Sequence, residues 1–190
     1  MSEKISRDSW ATPLPVYMAM EAEFDFAADI CASDRNAKHP IYLTEADDTL
    51  NHETLQRMAG LIPAGNYVWC NPPYSDIGPW VTAAIVLQDM GIGVVMLVMA
   101  DNSVGWYAKA IEFCQEVREV IKGRISFLEP ETGKPVSGNN KGSLFFVFDP
   151  YGRQQLPRRT YVERDALMAK GQALMEQPVL LFQEATCAAG

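Results

Sequence analysis

Asn71-Pro72-Pro73-Tyr74 closes the run Tyr67-Val68-Trp69-Cys70, and its residue types suit one piece of chemistry. The run is aromatic and β-branched and follows Gly65-Asn66, which predicts a short buried strand. Two prolines then end the strand, fix two φ angles and remove two backbone donors. Asn71 precedes a proline and is held extended. The product is a stiff hook that carries an amide side chain, carbonyls with no local N–H to claim them, and an aromatic ring. An exocyclic amine on a flat ring has two N–H groups. The Asn71 side-chain oxygen accepts one and the Pro72 carbonyl the other, which turns the nitrogen lone pair towards an electrophile. Tyr74 then stacks on the ring, as expected for a base flipped out of a duplex. The plainer alternative is a Pro-Pro loop with Tyr74 in the core.

The tetrapeptide resembles the catalytic motif of amino-methyltransferases that use S-adenosylmethionine. Asparagine in the first position is typical of the adenine-N6 enzymes. The same motif serves enzymes that methylate glutamine or other planar amides, so it specifies a chemistry more than a substrate.

The elements that must hold the hook follow from patterning. Thr12 is an N-cap type and Pro13 a first-turn type, which predicts a helix through Val16, Tyr17 and Met20 to about Glu23. Phe24, Phe26, Ala28 and Ile30 alternate, so a first strand ends near Asp29 and runs into the small residues Cys31, Ala32 and Ser33. Small residues at a strand end let a ligand approach the backbone, and Asp29 suits a cation or hydroxyls. Residues 36–43 read as loop with a short extended piece at Ile41-Tyr42-Leu43. Asp48 caps a helix over Leu50–Met58, or accepts from an adenine amine or a ribose hydroxyl. Trp80, Val81, Ala84, Ile85 and Leu87 have helical spacing, and Val94 to Met99 is a continuous apolar run, a strand buried on both faces. Asp101 and Ser103 suit a cap for the next helix, whose first turn holds Trp106, a pocket wall or ordinary core. Val117–Ile121 reads as a further strand. Ile125–Leu128 and Leu144–Phe148 read as strands bracketing a Gly-, Pro-, Asn- and Lys-rich loop, and a helix lies around Val162–Met175.

Strands alternating with helices, followed by a strand pair, predict an α/β fold with a mostly parallel sheet and an antiparallel pair near the C-terminal end. Ligands bind such sheets at the carboxyl ends of the strands. Asp29, the Asn71 hook and Asp101 all fall at predicted strand ends.

Composition bounds the rest. The chain has 190 residues, 48% hydrophobic and 21% charged, which suits one domain over 1–190 with a core over about 10–150 and a basic segment and tail beyond it. No apolar run approaches the roughly 20 residues of a membrane span, and MSEKISRDSW has no signal-peptide core; a cytoplasmic protein with no membrane partner is expected. Four scattered cysteines and two histidines point away from a metal site. Net charge is −8, but residues 122–170 carry +4. Arg124, Lys141, Arg153, Arg158 and Arg159 in that basic part are candidate phosphate contacts, or a solvated mixed-charge surface.

Taken together, the chain resembles the phage and prophage DNA N6-adenine methyltransferases. The matching pieces are Trp10-Ala11-Thr12-Pro13, Phe26 through Ser33, Asn36-Ala37-Lys38, Asp48-Thr49-Leu50, Trp69 through Ser75, Trp80-Val81, Gly123 through Phe127 and the closing strand through Phe148. The resemblance implies a single Rossmann-like domain, S-adenosylmethionine as cofactor, and DNA with an adenine target as partner, in a bacterial or phage-infected host cytoplasm. It implies that Thr12 and Asp29, Ile30, Cys31 and Ala32 hold the methionine end of the cofactor, that Asp48 holds the adenosine, that Trp10 also belongs to the cofactor site, and that Asn71, Pro72, Pro73 and Tyr74 form the catalytic hook. Trp106, Arg124, Lys141, Arg153, Arg158 and Arg159 are then the substrate-side candidates. The Gly-rich first loop of many methyltransferases is missing, and the short stretch between Ser33 and Asp48 leaves open which acid holds the ribose. The alternatives are the same chemistry on RNA adenine or protein glutamine, or a non-catalytic nucleic-acid-binding module of the same fold.

Overall fold

In the computed structural model, residues 7–137, 139–152 and 156–176 are described. One six-stranded sheet organises them. Its strands are β1 (Phe26–Asp29), β2 (Tyr67–Cys70), β3 (Gly93–Met99), β4 (Glu116–Ile121), β5 (Ser143–Phe148) and β6 (Arg158–Glu163). Their spatial order is β1-β2-β3-β5-β4-β6. Only β5 runs against the rest, antiparallel to both β3 and β4. The carboxyl ends of β1 to β4 therefore share one end of the sheet. The first residue of β5, Ser143, lies there too, opposite Met99.

Helices cover both faces, as a mostly parallel sheet demands. One apolar cluster joins Val68, Cys70, Val94 and Phe146 to α2 (His52–Leu61), α3 (Gly78–Asp89) and α4 (Gly105–Phe113). The other joins Trp69, Val95, Phe145 and Phe127 to α1 (Leu14–Phe24) and α5 (Arg164–Glu176). Alternate residues of β2, β3 and β5 thus feed opposite clusters, which is why β3 has no polar position. α1 and α5 meet at Gly171, where a Cβ would sit 1.7 Å from the Pro15 carbonyl oxygen. Among the described residues no helix is long and apolar enough to cross a membrane.

Several local expectations are corrected. Pro13, not Thr12, occupies the N-cap of α1, and Phe24 belongs to that helix and not to β1. Asp48 does not cap α2; it sits in the left-handed region (φ 50°) after a 3-10 turn, and Asn51 caps α2 through its side-chain oxygen. Asp101 and Ser103 bond to each other and leave α4 without a side-chain cap. Residues 125–128 form no sheet strand. Their apolar side chains are nonetheless buried, Ile125 to 1% and Phe127 to 0%, because Leu128 bridges to Ala11 and lays the segment across Trp10. The antiparallel pairing expected near the C-terminal end is present, made by β5 with β3 and β4 and not with residues 125–128. Part of the expected basic segment is strand β6, and the last helix starts at Arg164 and not at Val162; Arg-Arg-Thr-Tyr-Val-Glu has no apolar alternation because it is an edge strand paired to β4.

Candidate active site

β2 delivers the hook. Cys70 is fully buried at its end, and the chain leaves the sheet at Asn71. The Asn71 amide nitrogen donates to the Trp10 carbonyl at 3.2 Å. That bond sets the amide's orientation and leaves Oδ1 buried with no hydrogen-bond partner. The Pro72 carbonyl likewise accepts no hydrogen bond among the described residues, whereas the Pro73 carbonyl takes the Asp76 N–H. Two acceptors without donors therefore stand on neighbouring residues. Beyond them the Ser75 N–H donates to Asp8 at 2.8 Å and ties the hook down. Tyr74 is half-buried, edge-on to Phe127 with centroids 5.6 Å apart, and its hydroxyl is buried without a partner. Burial alone drives that phenol's pKa far up.

Beside the hook lies a cleft lined by Thr12, Asp29, Cys31, Asn36, Lys38 and Asn71. β1 sits at the sheet edge and pairs with β2, so Asp29 stands next to Trp69 and two residues short of the Asn71 level. The Asp29 carboxylate is 2% exposed and accepts the Cys31 N–H at 3.2 Å and the Lys38 N–H at 3.0 Å. It folds the 31–38 loop back over the strand end. Burial raises its pKa to about 6, against the lowering effect of those two N–H groups. Thr12 Oγ1 is also buried without a partner. Unpaired buried hydroxyl and amide oxygens cost about 1–3 kcal/mol each, so their concentration in one place marks atoms that a ligand is to satisfy.

The remaining candidates divide. Trp10 is buried: its indole stacks on Phe127 at 5.9 Å, and its carbonyl takes the Asn71 amide. Ile30 is buried, Ala32 pairs with Leu43, and Cys31 reaches the cleft. Asp48 is exposed, but its neighbour Thr49 donates to the Ile30 carbonyl at 2.9 Å and docks that turn on the end of β1. Trp106 is partly buried and packs edge-on against Phe146 on the α2–α4 side of the sheet. Arg124, exposed beyond the end of β4, and Lys141, paired with Asp101 beside the end of β3, share the hook's end of the sheet. Lys141 and Ser103 hold the Asp101 carboxyl down at about 2. Arg158 and Arg159 stand at the opposite end, because β6 starts level with Glu116, the first residue of β4. There Arg158 pairs with buried Glu116, and Arg159 with Glu119 at 3.1 Å. Arg153 lies outside the described residues.

Asn36 and Lys38 were not singled out as site residues, yet both line the cleft. The signal available was their place in a polar loop shortly after Asp29, which says nothing of where the loop returns. Among the described residues no group of three or more His, Cys, Asp or Glu side chains has the arrangement of a metal site.

Comparison with known proteins adds to this geometry. A model of the family described as DNA N-6-adenine-methyltransferase (Dam) matches residues 1–174. The chain is 31% identical over 175 residues to the DNA N-6-adenine-methyltransferase of Haemophilus phage HP1 (strain HP1c1), a match that covers 90% of this chain and 95% of the phage protein. It is 29% identical over 171 residues to the DNA N-6-adenine-methyltransferase of Escherichia phage T1, covering 82% of this chain and 68% of that one.

Proposed function

The chain belongs to the DNA N-6-adenine-methyltransferase (Dam) family and is an adenine-specific DNA methyltransferase; from that premise we propose that its methyl donor is S-adenosylmethionine and that its target adenine is flipped onto the Asn71 hook. The observation that carries this reading is the pair of unused acceptors, Asn71 Oδ1 and the Pro72 carbonyl. The N6 amine has two N–H groups, and these oxygens take one each. Holding both N–H groups draws the nitrogen lone pair out of conjugation with the ring as the nitrogen becomes tetrahedral, and negative dipoles stand ready for the positive charge that develops on nitrogen. Placement and preorganised polarity are the main contributions, because the amine sheds its proton only after it has become cationic. Tyr74 supplies the stacking surface, worth about 1–3 kcal/mol per base in single-strand binders.

The cleft suits the donor. S-adenosylmethionine supplies an electrophilic methyl on a sulfonium sulfur. Asp29 offers a buried carboxylate and Thr12 an unpaired hydroxyl for the amino-acid end, and Cys31 lines the cleft beside them. Asp48, on the turn that Thr49 docks to Ile30, is the acid assigned to the adenosine. Phosphate contacts fall to Arg124 and Lys141.

DNA from cells making the protein should carry N6-methyladenine at a defined sequence by direct modification mapping, and DNA from cells making Asn71→Ala should carry far less. Unmodified DNA alongside a folded, cofactor-binding wild-type protein would overturn the reading.

A further inference from the structure

We propose that Lys38 is the carboxylate receptor of the cleft: its ammonium, with the Thr12 hydroxyl, takes the α-carboxylate of the bound cofactor while Asp29 takes the α-ammonium. The inference rests on the cofactor reading above and adds to it a residue and a polarity.

Three observations carry it. Lys38 lines the same cleft as Asp29, Thr12 and Asn71. It is half-buried, and among the described residues its ammonium feels the Asp29 charge without a hydrogen bond to it. It is also not free to wander, because its own backbone N–H is bonded to Asp29 Oδ2. A lysine anchored at its backbone, partly desolvated, and facing the Asp29 charge without a hydrogen-bonded ion pair is poised for an anion that arrives with a ligand. Burial lowers the lysine's pKa, and the Asp29 charge works against that.

The cleft thus offers one buried carboxylate, one ammonium and one orphaned hydroxyl donor. An amino-acid zwitterion presents the complement: an ammonium and a carboxylate on one carbon. Asp29 cannot serve the carboxylate, and Lys38 cannot serve the ammonium. The charges therefore set the direction in which the amino-acid end lies. Both the methyl donor and the demethylated product keep that zwitterion, so Lys38 acts on their binding and not on the transfer step.

Calorimetric titration of the full chain with S-adenosylmethionine, S-adenosylhomocysteine and decarboxylated S-adenosylmethionine tests this. Lys38→Met should weaken the first two about tenfold or more, the size of a lost charge-assisted contact. It should leave the decarboxylated compound bound as in wild type, with an unchanged melting temperature. Lys38→Arg should recover part of the loss. Unaltered affinity for S-adenosylmethionine in Lys38→Met overturns the proposal, and so does an equal loss for all three compounds. Wild-type protein that binds none of them overturns the cofactor reading itself.

Discussion

The Asn71 amide nitrogen and the Trp10 carbonyl lie 3.2 Å apart, and this bond decides which end of the amide faces the pocket. With the nitrogen committed, the oxygen alone is presented to a substrate amine. Asn71→Ala should therefore leave cofactor affinity near normal and lower turnover by about 10²–10³, the cost of losing one preorganised transition-state contact. Asn71→Asp should retain more, since the remaining oxygen still accepts, although the new carboxylate oxygen repels the Trp10 carbonyl and lowers the melting temperature. Single-turnover rates and a cofactor titration on the same preparations check both. Full methyl transfer by folded Asn71→Ala would remove the hook from the chemistry.

Asp29 gives a pH dependence of known sign. Burial raises its folded-state pKa to about 6. Its contribution to folding is therefore fullest below the unfolded carboxylate value of about 4 and is lost as pH rises through 6. Cofactor binding runs the other way, because an ammonium needs the ionised form. Affinity should fall up to about tenfold per pH unit below 6 and level off above it. Asp29→Asn should bind weakly and show no such step. A wild-type affinity that is flat from pH 5 to 7.5 would take Asp29 out of the cofactor site.

Glu116 separates fold from function. It is 3% exposed and accepts from Arg118, Arg158 and Thr160 at the far end of the sheet from the hook. Burial alone would raise its carboxyl, but those three donors outweigh it and hold it at about 2. Glu116→Ala should cost about 3–5 kcal/mol, as breaking a buried ion pair does. Activity per folded molecule should be unchanged. Arg158→Ala and Arg159→Ala together should leave the salt dependence of DNA binding as it is. Arg124→Ala should flatten that slope by up to about one unit. The opposite pattern would put the DNA on the β6 side.

The hook and the first strand were legible because their signals are local. A β-branched run followed by two prolines fixes a strand, its end and an extended Asn71 without reference to the rest of the chain. Asp29 was legible through alternation. What could not be read is set by tertiary return. Arg158 and Arg159 carry the charge expected of phosphate contacts, but sequence does not say which end of the sheet a charge occupies, and β6 begins level with Glu116. Lys38 reaches the cleft only because its backbone bonds to a carboxylate nine residues earlier. Residues 125–128 have strand composition, yet they spend it on covering Trp10 and find no ladder to join.

Tyr74 allows stacking to be separated from its hydroxyl. The ring meets Phe127 edge-on at 5.6 Å, and the hydroxyl is buried with no partner. An unsatisfied buried hydroxyl is a net cost of about 1–3 kcal/mol, so Tyr74→Phe should raise stability by roughly 1 kcal/mol. It keeps the ring, and methyl transfer should stay near wild type. Tyr74→Ala leaves a cavity beside Phe127 and removes the stacking surface. It should lose stability by about 3 kcal/mol and weaken target binding by a further 1–3 kcal/mol, roughly. The second loss should shrink when the target adenine is placed in a mismatch, because less unstacking is then required to expose it. Melting curves with matched and mismatched duplexes read out each term. A Tyr74→Phe variant that is less stable and inactive would show that the hydroxyl finds a partner in the working enzyme, and stacking alone would no longer account for the residue.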